Sequence, residues 1–227
     1  MCGRYTLARK PEDILAEVGA DIWLGMAEYS PRYNIAPTLD VPVLMAGAGR
    51  ELHTLRWGLV PNWAADTKRA SSLINARSET ITEKPSFRQL VGRRHCVTPA
   101  DGYYEWRRDG TRKTPFLIHD PGDRLLLMAG LWDEWAGPDG PLRTFTLITR
   151  PPLRSISHIH DRMPVLLRPE QVAPWLHADP AGAAAIIADV DLPLAAYACN
   201  PLVNNARNDS PACRERVAEE GELDLWG

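Results

Sequence analysis

Short apolar runs broken by polar and turn-forming clusters dominate the middle of the chain. The segments "VPVLMA", "LHTLRWGLV", "HCVTPA", "GYYEW", "PFLIH", "RLLLMAGLW" and "RTFTLIT" are rich in β-branched, aromatic and aliphatic residues. Gly, Pro and Asp clusters divide them, a pattern that predicts strands. In "KPEDILAEVG" the apolar residues Ile14, Leu15 and Val18 share one helical face, behind Pro11 and the acids Glu12 and Asp13 and ahead of Gly19. That arrangement predicts a short helix with a proline-led, acidic first turn and a glycine stop. "KPSFRQLVG", with Pro85 near its start, "PEQVAPWLH" and "PAGAAAIIADV" predict three further short helices. Strands in the middle and helices at the edges imply an α+β fold: a mainly antiparallel, barrel-like sheet with peripheral helices. No internal repeat or Gly/Ser linker divides the chain, so residues 1–227 are expected to form one domain, with 214–227 as an acidic C-terminal tail. Regular βαβ alternation is absent, as are GxGxxG and GxxxxGK[ST], which removes the support for a nucleotide-binding fold.

Charge adds a local feature that the total conceals. The chain carries a net −3, yet residues 50–113 hold 13 Lys and Arg against 7 Asp and Glu. A basic middle in an acidic chain suits either an anionic ligand or a solvated, salt-bridged surface. No apolar run approaches the roughly 18 residues of a membrane span. "MCGRYTLARKPEDILAEVGA" places charges where a secretory signal needs an apolar stretch, so a cytoplasmic protein is expected. The four cysteines, Cys2, Cys96, Cys199 and Cys213, are widely spaced and contain no CxxC pair. Free thiols are expected, with no zinc site.

Candidate chemistry begins at the second residue. The first residues of a domain are a poor place for a core cysteine unless something ties them down. If Met1 is removed, Cys2 presents an α-amine and a thiol on adjacent carbons. "SLINARSET" puts Asn75, Arg77 and Glu79 on alternate positions, hence on one face of an extended segment, although a solvated strand face would look the same. In "DGYYEWRR", Glu105 shares a face with Tyr103 while Tyr104 and Trp106 take the other. Turned inward, Glu105 would have a raised pKa and could shuttle protons; turned outward it is a plain surface carboxylate. "SISHIHDRMP" sets His158 and His160 on one face if extended, but no further metal ligands accompany them; an imidazole beside Asp161 and Arg162 suits acid chemistry or a phosphate contact. Trp57, inside an apolar run, reads as core. Trp63, after Pro61 and Asn62 and near Lys68 and Arg69, is the better candidate for stacking on single-stranded bases.

The blocks "MCGRYT", "RYNIAPT", "RWGLVPNWA", "LINARSET", "KPSFRQL", "RRHCVTPADGYYEW", "TFTLITR", "IHDRMPV" and "VNNARNDSPAC" stand in an order and spacing that resembles the SOS response-associated peptidase (SRAP) family of abasic-site processing proteins. The resemblance runs from Cys2 to about Cys213. It implies covalent capture of abasic sites in single-stranded DNA by a monomer that needs no cofactor and sits on the nucleoid when bound to damage. It implies Cys2 as the nucleophile, with Asn75, Glu105 and His160 around it. It further implies that Arg4, Asn34, Trp63, Arg77, Thr149 and Arg162 line the DNA path or the catalytic pocket. Two positions depart from the pattern: Ala64 follows Trp63 where some relatives have a second tryptophan, and Arg150 stands where relatives often have a smaller residue. The chemistry implied is an imine between the Cys2 amine and the ring-opened sugar aldehyde, closed by the sulfur into a thiazolidine. The "peptidase" label corresponds to autoproteolytic loss of Met1. Two other functions fit many of the same residues: an N-terminal-nucleophile cysteine hydrolase, and a non-catalytic single-stranded DNA-binding module.

Overall fold

A computed structural model describes residues 2–47 and 49–218. The strands are β1 (Tyr5–Leu7), β2 (Ile22–Leu24), β3 (Arg32–Ile35), β4 (Asp40–Ala46), β5 (Arg50–Trp57), β6 (Asn75–Arg77) and β7 (His95–Ala100), followed by β8 (Gly102–Asp109), β9 (Arg112–His119), β10 (Leu126–Gly137), β11 (Gly140–Arg150), β12 (Met163–Pro164), β13 (Leu166–Leu167) and β14 (Ala195–Ala198). Three helices accompany them: α1 (Pro11–Val18), α2 (Pro169–Leu176) and α3 (Pro180–Ala188). One sheet runs β14-β9-β8-β1-β3 and the other β12-β11-β10-β7-β4-β5-β2. In the second, β5 also pairs in parallel with β11, Thr144 opposite Arg56 and Phe145 opposite Trp57. That pairing closes β11, β10, β7, β4 and β5 into a five-stranded barrel, which removes two strand edges from solvent. The expected α+β, barrel-like architecture is therefore present.

Trp57 ties the barrel to the other sheet. It is fully buried, stacks on Phe145 with ring centroids 6.4 Å apart, and meets the Tyr5 ring edge-on at 5.3 Å. Its indole N–H donates to the Ile74 carbonyl at 3.0 Å, which satisfies the one polar atom the burial would otherwise strand. The next residue must be glycine. Gly58 has φ 123°, and a Cβ there would lie 2.8 Å from the Ala70 carbonyl oxygen. This sharp exit from β5 launches the long segment that returns as β6.

Three of the four expected helices form. α1 has Pro11 in its first turn and ends at Gly19 in the left-handed conformation, whose N–H donates to the Ala16 carbonyl at 3.2 Å. The segment "KPSFRQLVG" is instead a chain of turns. Pro85 brings no N–H to a helical ladder, and the bonds that do form alternate between three- and four-residue spans, such as Phe87 N–H and Arg88 N–H both donating to the Lys84 carbonyl at 2.9 Å. The expected tail is also shorter at its start. Arg216 pairs with Cys199, and Val217 N–H donates to the Ala198 carbonyl at 2.9 Å, so the chain is fastened beyond 214. The rest of that acidic stretch, from 219 onward, lies outside the described residues, as does Met1. Among the described residues no helix is long and apolar enough to cross a membrane.

Candidate functional site

The site is assembled where the start of the chain runs between β8 and β3. Tyr5 lies directly opposite Tyr103, and Tyr104 N–H donates to the Arg4 carbonyl at 2.9 Å. This register sets Glu105 beside the chain's first residues. On the other side β6 runs parallel to β11, with Asn75 opposite Leu147, and delivers Asn75 to the same place. Its side-chain Nδ2 donates to the Cys2 carbonyl at 2.7 Å. Asn75 Oδ1 is buried with no hydrogen-bond partner among the described residues.

Burial controls the titration of this cluster. Cys2 is 0% exposed, and desolvation pushes its thiol well above the ordinary value, with the nearby Glu105 charge adding to the effect. Tyr5 and Tyr103 are likewise buried, and their phenols are held well above their usual range by desolvation and by Cys2. Glu105 is 2% exposed, and desolvation raises its carboxyl from 4.5 to about 7. The inward orientation is therefore the one adopted. His160 Nε2 stands 3.7 Å from Glu105 Oε2. His160 Nδ1 lies 3.0 Å from the Arg162 backbone N–H and 3.0 Å from the Asp161 carboxylate, while Nε2 faces Glu105. Burial lowers the His160 pKa and so favours a neutral ring.

Arg162 fixes the loop that carries His160. Its guanidinium grips both carboxylate oxygens of Glu79 and donates to the Thr149 carbonyl at 2.6 Å and to Thr149 Oγ1 at 3.3 Å. The Arg162 hydrogen bond drives the Glu79 pKa down to about 2. Thr149 is fully buried and pairs in register with Arg77, which is exposed at the end of β6. The expected alternation of Asn75, Arg77 and Glu79 along one extended face stops at Arg77, because Ser78–Thr80 form a 3-10 turn that swings Glu79 to Arg162. His158 and His160 also fail to share a face. Arg154–Ile156 form a 3-10 turn and residues 157–159 continue in turns, leaving His158 exposed. Among the described residues no cluster of His, Cys, Asp and Glu is suited to a metal.

Asn34 faces away from the open surface, whereas half-buried Arg4 places its guanidinium 5.9 Å from the Trp106 ring centroid. Arg4 Nη1 donates to Asn34 Oδ1 and to the Val203 carbonyl, both at 2.8 Å. Asn34 is 1% exposed, and its amide reaches the carbonyls of Val203, Asn205 and Asn208 at 3.3, 3.0 and 2.6 Å. Buried and saturated, Asn34 has no surface to offer a strand of DNA; it clamps the 203–208 segment against β3. Asn34→Ala is expected to destabilise the fold by about 2–3 kcal/mol, because several buried carbonyls lose their donors. A fall in melting temperature of about 5–10 °C in thermal denaturation checks this.

The clamped segment completes a cleft of about 430 Å³ lined by Glu105, Trp106, Arg108, Lys113, His160 and Asn204. Asn204 Oδ1 accepts the Trp106 indole N–H at 2.7 Å. Arg108, Lys113 and Asn204 were not picked out by the sequence patterns; the alternation that marks Trp106 and Arg108 as one face was the available signal. Trp63 is 60% exposed and lies outside this cleft, between two smaller ones of about 190 and 210 Å³. Arg69 lines the first, Arg93 and Arg94 the second. An exposed indole flanked by guanidinium groups on both sides can stack a base and meet its phosphates.

Comparison with known proteins gives a consistent picture. The family described as SOS response associated peptidase (SRAP) matches residues 1–206. Abasic site processing protein YoqW of Bacillus subtilis (strain 168) is 41% identical over 218 residues, covering 93% of this chain and 97% of YoqW. Abasic site processing protein HMCES of Xenopus tropicalis is 32% identical over 264 residues, covering 96% of this chain and 78% of HMCES. Among solved structures, the crystal structure of a protein from Bacteroides thetaiotaomicron superimposes with a TM-score of 0.82 at 26% identity, over 96% of this chain and 100% of that one.

Proposed function

The chain belongs to the SOS response associated peptidase (SRAP) family, and we propose that it processes abasic sites in single-stranded DNA by capturing them covalently through Cys2. The observation that carries this reading is the hydrogen bond from Asn75 to the Cys2 carbonyl beside a buried Glu105. A chain terminus is normally mobile. Here it is pinned by a side-chain amide next to a carboxyl tuned to neutral pH, an arrangement with no benefit to a simple binding surface.

The mechanism begins with loss of Met1, which turns the Cys2 nitrogen from an amide into an amine. An α-amine has a pKa of about 7.7–8.0, so a useful fraction is neutral near pH 7, unlike a lysine at about 10.4. Asn75 Oδ1 is available to accept one of its protons and aim its lone pair. His160, whose Nε2 faces Glu105 in the cleft, assists opening of the sugar hemiacetal to the aldehyde. The amine attacks the aldehyde carbon, forming a C–N bond. Protonated Glu105 donates to the departing hydroxyl, and water leaves to give an imine. The imine acidifies the neighbouring C–H and invites elimination of the adjacent phosphate. The Cys2 sulfur prevents this by adding to the same carbon: the thiol proton passes by way of Glu105 to the nitrogen, and a five-membered thiazolidine closes. The balance is one aldehyde and one aminothiol joined with release of one water.

The peptidase alternative draws less support. A nucleophilic cysteine needs a lowered pKa, whereas burial holds the Cys2 thiol in its protonated form. A protonated thiol suits a late step in which sulfur meets an already electrophilic imine. Limited autoproteolysis at the Met1–Cys2 bond remains compatible with the same residues.

Intact-mass measurement tests the proposal. Purified protein is expected at the mass lacking Met1. After incubation with single-stranded DNA bearing one abasic site, a heat- and SDS-stable species is expected at the summed mass less one water. Met1-free protein that binds this DNA and forms no adduct would overturn the covalent reading.

A further inference from the structure

The β8–β9 hairpin carries a pair of cations that neither the fold nor the crosslinking chemistry uses. Arg108 and Lys113 are direct cross-strand partners. Both are exposed, and both line the cleft that contains Glu105 and His160. Among the described residues neither side chain takes part in a salt bridge or hydrogen bond. The other cations nearby are engaged: Arg162 with Glu79, Arg4 with Asn34 and Val203, and Arg107 with Asp109 at 3.0 Å while lying over the Phe116 ring. Like charges directly opposite on paired strands repel and weaken the pairing. Such a rung is a local cost that a bridging anion would relieve. Among the described residues lining the cleft Glu105 alone is acidic and it is buried, while the nearby exposed Asp161 stands 3.0 Å from His160 Nδ1.

We infer that Arg108 and Lys113 together hold a single backbone phosphate of the strand that enters the Glu105 cleft. This rests on the abasic-site reading for the identity of the strand. The geometry fits the ligand: a guanidinium presents a fork of donors, a lysine adds a point charge, and a non-bridging oxygen pair can engage both. Trp106, two residues before Arg108 on the same face, forms an apolar wall for the sugar between that phosphate and Cys2. Holding the phosphate in the cleft fixes the register of the strand, so that the lesion rather than a neighbouring sugar faces the amine.

The salt dependence of binding to an undamaged single-stranded oligonucleotide, read by fluorescence anisotropy, tests the rung. One phosphate contact on a single strand contributes about 0.7 to the slope of log K against log salt. Arg108→Gln/Lys113→Gln is expected to lower the slope by about 0.7 and to weaken binding about five- to tenfold at low salt. Because one phosphate is shared, the second substitution should add less than the first. Lys10→Gln, the same charge change as either single substitution but at an exposed position at the head of α1, should leave the slope unchanged. An unchanged slope in the double variant, or two single losses that add in full, would overturn the shared contact. The same oligonucleotide with one abasic site reports the crosslink in parallel. Wild-type protein that binds the first and never captures the second therefore counts against the covalent reading alone.

Discussion

Cys2→Ala and Cys2→Ser proteins are both expected to yield no heat- and SDS-stable adduct with abasic single-stranded DNA and to shift the outcome from capture toward strand cleavage. The two variants remove one of the residue's two nucleophiles and keep the other. Once Met1 is lost, both retain the α-amine, so both can form the imine; neither carries the sulfur that closes the stable ring. A hydroxyl is the poorer nucleophile toward an imine carbon, and the oxygen ring that it would form reopens more readily than the thiazolidine. The imine then persists long enough for elimination of the neighbouring phosphate. A denaturing gel resolves the results: a shifted band for wild type, and a shortened strand without a stable shifted band for both variants. Because Cys2 is fully buried and acts as a small apolar residue in the core, either change should lower stability only modestly. Unchanged binding to undamaged DNA establishes that the loss is chemical. A persistent stable adduct in Cys2→Ala would show that another residue carries the crosslink.

How much of this site could be read from the chain depended on whether local pattern or distant pairing set the geometry. α1, α2 and α3 were legible because proline-led first turns and apolar spacing are local signals. The closure of the barrel was not, since the parallel pairing of Arg56 with Thr144 joins segments far apart and leaves no mark on either. Glu105 illustrates the same limit at one residue. Its alternation with Tyr104 and Trp106 said that it differs in facing from them, but both faces are covered there, Tyr104 being as buried as Tyr103, so alternation alone could not mark Glu105 as inward. Period-two spacing misled twice, at Glu79 and at the His158–His160 pair, because a 3-10 turn at the first and a run of turns at the second replaced the extended backbone that the pattern assumes. Residue type misled at Asn34. An amide is as ready to hold carbonyls of its own chain as to contact DNA, and the clamp on 203–208 took all of its capacity.

Glu105→Gln is expected to slow crosslinking by about 10²–10⁴-fold at neutral pH while making the protein more stable there. Both effects come from one feature, a carboxyl raised from 4.5 to about 7 by desolvation. Dehydration of the carbinolamine needs Glu105 protonated and formation of it needs the amine neutral. The wild-type rate at saturating DNA should therefore rise with pH as the amine deprotonates and fall above about 7 as Glu105 ionises, giving a bell-shaped profile. Glutamine cannot donate in this way, so the variant should lose the alkaline limb: a lower rate that climbs and then levels off. Stability changes with the opposite benefit. An unfolded Glu ionises near 4.5, while the folded one stays protonated up to about 7. The unfolded state thus binds fewer protons between these values, and wild-type stability declines across that window as pH rises. The decline attributable to Glu105 is about 3 kcal/mol, complete above pH 7 and absent below 4.5. Denaturant titrations of both proteins below pH 4.5 and above pH 7 should give similar stabilities in acid and a more stable variant in base. Equal stabilities at both ends would mean that Glu105 is not held protonated by burial, and the proton-transfer role assigned to it would fail with that result.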